Sequence, residues 1–284
     1  MPALSDHQIG VNTPWQTGRQ SAYSRIHKAY SFSLGHKKRR FMLRSIKELY
    51  GKKLGATDAE IGHVKDFYFN DRHWAVRYVV ADTASWLPGR LVLLSPHAFG
   101  KFCEEDDCLL VNLSRQQIEN SPPIESHKPV SRQYEEEYYR YYGWPGYWAG
   151  GELWGAIGFP VLQPLYPFPE EPAIPAHHSR NGNDPHLRSM RALDGYHIQT
   201  SEGAIGHLTD FIMDDQRWAI RHLVVETGHW YSGKEIVLSP KHIDRISYQD
   251  STVFVNVTKE VILHAPEYHM PRLGGNCQPT RNLG

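Results

Sequence analysis

The stretch IGHVKDFYFNDRHWAVRYVVADT, beginning at Ile61, returns 144 positions later as IGHLTDFIMDDQRWAIRHLVVET, beginning at Ile205. Between Ile61–Pro96 and Ile205–Pro240, sixteen of 36 positions are identical. The match needs no gap from Leu43–Pro122 to Leu187–Pro266: LRS at 43–45 meets LRS at 187–189, and Val111-Asn112 meets Val255-Asn256. A duplicated unit accounts for this, and the absence of insertions means that turn lengths matter throughout it. Whatever one copy folds into, the other must fold into as well.

Each unit reads as a small β structure. IGHVKDFYF and WAVRYVVAD are rich in β-branched and aromatic residues, and a short polar turn, NDRH or DDQR, separates them. That pattern predicts a β-hairpin. RLVLLSP or KEIVLSP supplies a third strand, ended by a proline that cannot donate to a ladder. CLLVNLS or TVFVNVT supplies another, and Gly51–Ala56 a short first one. Ser114 or Thr258 then caps a short helix. Trp74, Val76, Tyr78 and Val80 share one face of the second hairpin strand, and Ala75, Arg77, Val79 and Ala81 share the other. Both faces are largely apolar, so this strand is expected to be central and covered on both sides. Five or six short strands in so short a unit predict a small barrel or a strongly curled sheet. A unit this small is marginal alone, and pseudo-two-fold packing of the copies would bury more surface. The expected fold class is all-β with short helices: two small β-barrels in tandem.

The run EIGHVKDFYFNDRHWAVRYVVADTASWLPGRLVLLSP resembles a PRC-barrel domain, the β-barrel of the photosynthetic reaction-centre H subunit and of the C-terminal half of the ribosome-maturation factor RimM. The residues that carry the resemblance are Ile61-Gly62, Asp66-Phe67, Trp74, Arg77, Val80, Asp82-Thr83, Trp86, Gly89 and Ser95-Pro96. All recur in the second copy except Asp82, where Glu226 stands; Asp210, Trp218, Arg221 and Trp230 are among the counterparts. The layout over 42–266 is similar to bacterial tandem PRC-barrel proteins, including PVSRQYEEEYYRYYGWPGYW at 129–148 and DPHLRS at 184–189. The resemblance implies a binding or regulatory module rather than a catalyst. The chain departs from the pattern in two places: residues 267–284 hold no second Tyr-rich helix, and a basic arm precedes Met42. The expected organisation is a flexible basic extension at 1–41, repeat 1 at 42–122, a Tyr-rich helix and Gly/Pro-rich linker at 123–186, repeat 2 at 187–266 and a flexible tail at 267–284.

Between the repeats, eight of the fifteen residues from Tyr134 to Trp148 are aromatic. Tyr134, Tyr138, Tyr141 and Tyr142 fall on one helical stripe, with Glu135, Glu136 and Glu137 away from it. Such a stripe predicts a face docked on a barrel. Tyr134, Tyr138, Tyr141, Tyr142, Trp144, Tyr147 and Trp148 are also the candidate interaction surface, because Tyr and Trp favour interface anchors.

Charge and reactive residues narrow the functional classes. The net charge is zero, but residues 1–44 hold eight Lys/Arg against Asp6, so a +7 arm sits on a −7 body. Lys37, Lys38, Arg39 and Arg40 are the one hint of nucleic acid or an anionic surface, and the acidic body opposes it. KKRRFML resembles a twin-arginine export signal, but the charged RSIKELYGKK follows where an apolar segment would be needed. No apolar run approaches the ~20 residues a membrane helix needs. Three cysteines without CxxC spacing give neither a disulfide framework nor a zinc site, and reduced thiols in a cytoplasmic protein are expected. Seventeen histidines include matched His63 and His207, with no metal-ligand set. No nucleophile elbow, phosphate loop or dinucleotide fingerprint appears, so no cofactor is called for. Asp66 and Asp82 each have Arg77 available, and Asp210 and Glu226 have Arg221, so structural ion pairs are expected rather than acid–base catalysis. The matched tryptophans are expected in the core. The reading is a non-enzymatic binding or scaffolding protein whose partner is another protein or itself; the alternative is a ribosome- or RNA-associated factor.

Overall fold

The computed structural model describes residues 42–83, 86–88, 90–103, 108–122, 130, 132–148, 152–155, 158–160, 186–228, 233–265 and 267–268. The expectations for 1–41, for Trp230, for most of the 149–186 linker and for 269–284 lie outside the described residues. Among the described residues β-strand predominates, with a few short helices, as the hydrophobic periodicity requires.

Repeat 1 runs β1 (Leu43–Ser45), β2 (Lys53–Gly55), β3 (Glu60–Asn70), β4 (Ala75–Asp82), β5 (Leu91–Leu94), β6 (Phe99–Cys103), β7 (Cys108–Val111) and helix α1 (Arg115–Glu119). Helix α2 (Arg132–Tyr142) follows. Repeat 2 repeats the order: β8 (Leu187–Ser189), β9 (His197–Thr200), β10 (Gly203–Asp214), β11 (Ala219–Thr227), β12 (Glu235–Leu238), β13 (Ile243–Ser247), β14 (Thr252–Val255) and α3 (Lys259–Leu263). The hairpin, the strand ended by Ser95-Pro96 and the capped helix stand where the residues place them. Ser114 forms a capping box with Gln117, and the Thr258 side chain accepts from Val261 N–H. β4 is buried from Ala75 to Ala81, as its two apolar faces demand. In the Ile-Gly pair, a Cβ on Gly62 would lie 1.9 Å from the Asp82 carbonyl oxygen, and one on Gly206 2.0 Å from that of Glu226. Only glycine lets these strands approach so closely.

The two repeats do not form separate closed barrels. One 14-stranded sheet runs through both, and it is not closed. Among the described residues, three strand pairings join the halves. β1 pairs with β10 of the other repeat, Leu43 opposite Asp214. β8 pairs with β3, Leu187 opposite Asn70, which is the same contact displaced by 144. At the centre β4 meets β11 with Ala75 opposite its own counterpart Ala219. Each repeat therefore lends its first strand to the other, and one hydrophobic core spans both.

Two backbone outliers sit on this junction. Trp74 and Trp218 have φ of 52° and 54°, where a bulky L residue is rarely found. Each closes its hairpin, Trp74 N–H donating to Asn70 at 2.8 Å and Trp218 N–H to Asp214 at 2.9 Å. Each then offers its carbonyl across the junction: Ile220 N–H donates to Trp74 at 2.7 Å and Val76 N–H to Trp218 at 2.8 Å. The strained turn is held by bonds to the opposite repeat. Trp218 is buried, and Trp74 is half-buried against Phe69. Trp86 is half-buried with its indole N–H donating to the Ile61 carbonyl at 2.9 Å.

Deleting residues 1–45 removes a strand from repeat 2. Amide exchange at Ile212–Asp214 should then rise by roughly tenfold or more relative to Tyr68–Asn70 of repeat 1. Equal exchange at the two sites would contradict the strand exchange.

Candidate functional site

The residues matched between repeats meet in two places, the junction and a covered arginine. At the junction Asp66 and Asp210 hold the turns that follow the exchanged strands. Asp210 accepts from the Ser45 hydroxyl at 2.5 Å, from Lys47 N–H at 2.9 Å and from Phe211 N–H at 2.7 Å. Asp66 accepts from the Ser189 hydroxyl at 2.5 Å, from Arg191 N–H at 3.1 Å and from Phe67 N–H at 2.7 Å. Each carboxylate thus caps a 3-10 turn of the other repeat. Burial pushes both pKa values up, and the hydrogen bonds oppose the shift. A cleft of about 300 Å³ beside them is lined by Ile46, Lys47, Tyr50, Met190, Arg191 and Asp210.

The arginines go elsewhere. Tyr68 lies opposite Tyr78 and Phe69 opposite Val76, which leaves Arg77 as the extra residue of a β-bulge; Arg221 is the extra residue in the same place in repeat 2. A bulge re-aims its side chain. The expected pairing of Arg77 with Asp66 or Asp82 does not form. Asp66 is already occupied by Ser189 and two backbone N–H groups, and Asp82 is exposed at the end of β4 opposite His63. Arg77 is 1% exposed and donates to the Leu153 carbonyl at 2.7 Å. Its guanidinium carbon lies 3.8 Å from the ring centre of Tyr147 and 4.7 Å from that of Trp154. Burial lowers its pKa, and the surrounding tyrosines and Glu135 oppose that.

Glu135 corrects a second expectation. It belongs to the buried face of α2, not to the solvated one, and it is 0% exposed. It accepts from the hydroxyls of Tyr78 and Tyr147, both at 2.8 Å. On this helix Tyr138 and Tyr139 are buried, Tyr134 and Tyr142 half-buried, and Tyr141 is left 42% exposed. Trp144 and Tyr147 are buried, and Trp148 reaches the surface. Most of the candidate interaction surface is therefore an internal cover. The Tyr138 hydroxyl accepts from Ser95 N–H at 3.0 Å and donates to the Leu93 carbonyl at 2.9 Å. Tyr142 stacks on Trp144 at 4.5 Å, and burial pushes its phenol up to about 12. The Trp154 indole donates to the Arg217 carbonyl of the second repeat at 2.7 Å.

Repeat 2 solves the same problem without a helix. Asp214 stands where repeat 1 has Asn70, and Arg221 donates to it through Nε at 3.0 Å and through Nη2. The expected partners Asp210 and Glu226 are not used: Asp210 is held at the junction, and Glu226 is exposed opposite His207. The Arg221 side chain is 40% exposed. His222 replaces Tyr78, and burial followed by the Arg221 charge lowers its pKa. All three residues of the 3-10 turn Pro96–Ala98 are buried, and none of the equivalent Pro240–His242 are.

His63 and His207 are exposed, and the His207 ring lies 4.8 Å from that of His197. Among the described residues no group of three or more His, Cys, Asp or Glu is placed to hold a metal ion. Among the same residues no helix is long and apolar enough to cross a membrane. Compared with known proteins, the chain matches no family model and no curated relative.

Glu135→Ala should lower the unfolding free energy by about 1–3 kcal/mol for each of the two buried tyrosine hydroxyls, Tyr78 and Tyr147, that it leaves without an acceptor. Arg221→Ala should cost less, because the arginine is 40% exposed and the buried Asp214 keeps the Gln216 and Arg217 N–H donors. Urea unfolding that ranks the two the other way would refute the assignment. The raised folded pKa of Asp66 and Asp210 means that folding takes up protons between the unfolded value, about 3.9, and the folded ones. Their favourable contribution is complete below that unfolded value and is lost as pH rises through the folded values. A D66N/D210N variant should therefore gain stability relative to the parent as pH rises from about 4, and a constant difference would show that the carboxylates are not desolvated.

Proposed function

We propose that this chain is a non-enzymatic protein-binding or scaffolding protein of the bacterial cytoplasm, with each repeat a PRC-type unit and a second protein or a second copy of the chain as partner. The observation that carries the reading is the unequal cover. Repeat 1 buries its Arg77 face under α2 and the chain that follows, whereas among the described residues the equivalent face of repeat 2 carries no covering helix and is met at its β12 edge by Glu267 and Tyr268. The matched acids support a structural reading, since Asp66 and Asp210 are engaged in joining the repeats. Fold likeness alone does not assign a partner, so the reading rests on that open face.

Affinity capture from the native cell tests it, with the intact protein compared against a K241E/V261E variant altered at two exposed positions of the open face. Proteins retained by the first and lost by the second are the expected result. Identical proteins with both would end this reading. RNA retained in a strongly salt-dependent way, and lost on deleting residues 1–41, would replace it with a ribosome- or RNA-associated role.

A further inference from the structure

The protein-binding reading of the open face can be taken further, because the molecule contains a filled version of the same face. In repeat 1 the occupant is an eleven-residue helix with tyrosines on its buried side. Its central contact is made by one hydroxyl, that of Tyr138, which bonds a donor and an acceptor together at the end of edge strand β5: Ser95 N–H and Leu93 C=O. Tyr139 adds a contact to the Ser95 hydroxyl at 3.2 Å. Tyr141 reaches the Gln117 carbonyl at 3.0 Å on the neighbouring helix α1.

The same backbone exists in repeat 2. Val237 lies opposite Val224 as Leu93 lies opposite Val80, so its carbonyl faces the same way. Ser239 caps the following 3-10 turn as Ser95 does. Ser95 is fully buried and Leu93 2% exposed, whereas Ser239 and Val237 are half-exposed and Val261, the counterpart of Gln117, is 55% exposed. The chain's own Glu267 and Tyr268 run along this edge as far as Ile236, with Tyr268 N–H donating to the Glu235 carbonyl at 2.7 Å, but among the described residues no tyrosine hydroxyl bonds Ser239 or Val237. The sixteen residues from His269 to Gly284 contain no aromatic residue and no acid, so the sequence there offers no counterpart of α2.

Residue changes between the repeats fit a face that is stable when open and still able to take a guest. Asp214 in place of Asn70 neutralises Arg221 without an outside carboxylate. Lys241 replaces His97 and is exposed, which adds a cation at the rim. Val261 in place of Gln117 adds an apolar contact beside it.

We propose that this face of the second repeat, formed by Arg221, His222, Val237, Ser239, Lys241 and Val261, is a docking groove for a tyrosine-bearing acidic helix of another protein. The guest places one tyrosine hydroxyl between Ser239 N–H and Val237 C=O, as Tyr138 does between Ser95 and Leu93. It spaces further aromatic residues at four-residue intervals along one side, as α2 does with Tyr134, Tyr138 and Tyr142. Because Arg221 is already paired, a residue equivalent to Glu135 is not required, and the acidic character answers to Lys241 at the rim.

The probe is a fluorescently labelled peptide of residues 131–148 of this chain, titrated against the full-length protein. The expected result is saturable binding of one peptide per chain. Replacing Tyr138 by Phe in the peptide should weaken it about five- to tenfold, the loss of one hydrogen-bonded hydroxyl. K241E/V261E in the protein should abolish binding, with circular dichroism confirming that the variant is folded. Absence of binding, or binding unchanged by K241E/V261E, overturns the groove. If the peptide fails while that variant still loses captured protein partners, the protein-binding reading stands and the helix-groove inference falls. If capture is also unaffected, both fall.

Discussion

The exchange of first strands between the repeats is the constraint on which the rest of the structure depends. β1 completes the second repeat and β8 completes the first, so neither half holds its own full complement of strands. The polar groups at this junction are reciprocal, buried at Ser45 and Asp210 and partly buried at Ser189 and Asp66. Ser45 and Ser189 give their hydroxyls to the opposite aspartates, and the Trp74 and Trp218 carbonyls accept from the opposite β-strand. A buried carboxylate is tolerated only when such donors surround it, and a left-handed tryptophan only when neighbouring structure holds it. Each device therefore presupposes both halves, which makes the two repeats one folding unit.

Against this symmetric frame the asymmetry stands out, and it starts from one residue. With Asn70, repeat 1 has no carboxylate at the position that pairs the arginine of repeat 2, and Arg77 is covered instead by the Tyr147 and Trp154 rings and the Leu153 carbonyl, with Glu135 reached through the Tyr147 hydroxyl. With Asp214, repeat 2 pairs its arginine on the spot and needs no cover. The change from amide to carboxylate separates an interior built from a desolvated cation from a face that remains accessible.

Much of the frame could be read in the chain. The ungapped 144-residue offset required two like units, the alternation of β3 and β4 required a hairpin, and Ser114, Thr258 and the Ser-Pro pairs marked their caps and strand ends. What escaped was whatever depends on a distant partner. The three residues LRS are too few to show a period, so nothing in them says that they join the opposite repeat. β6 and β13 gave no clear pattern either, with Gly100 in one and Asp244 and Arg245 in the other. The matched Asp and Arg residues invited pairing because they recur together, yet a bulge turns the arginines away while the serines of the exchanged strands take up Asp66 and Asp210.

Sequence by itself determined the duplication, the β-rich class, the position of each hairpin and the helix with an aromatic stripe, because local periodicity and turn chemistry set these. Only the tertiary structure decided which face of that helix is buried, which acid meets which donor, and which repeat stays uncovered. Those outcomes depend on which donors, acceptors and rings lie within reach of a buried charge, and that is a property of the assembled sheet.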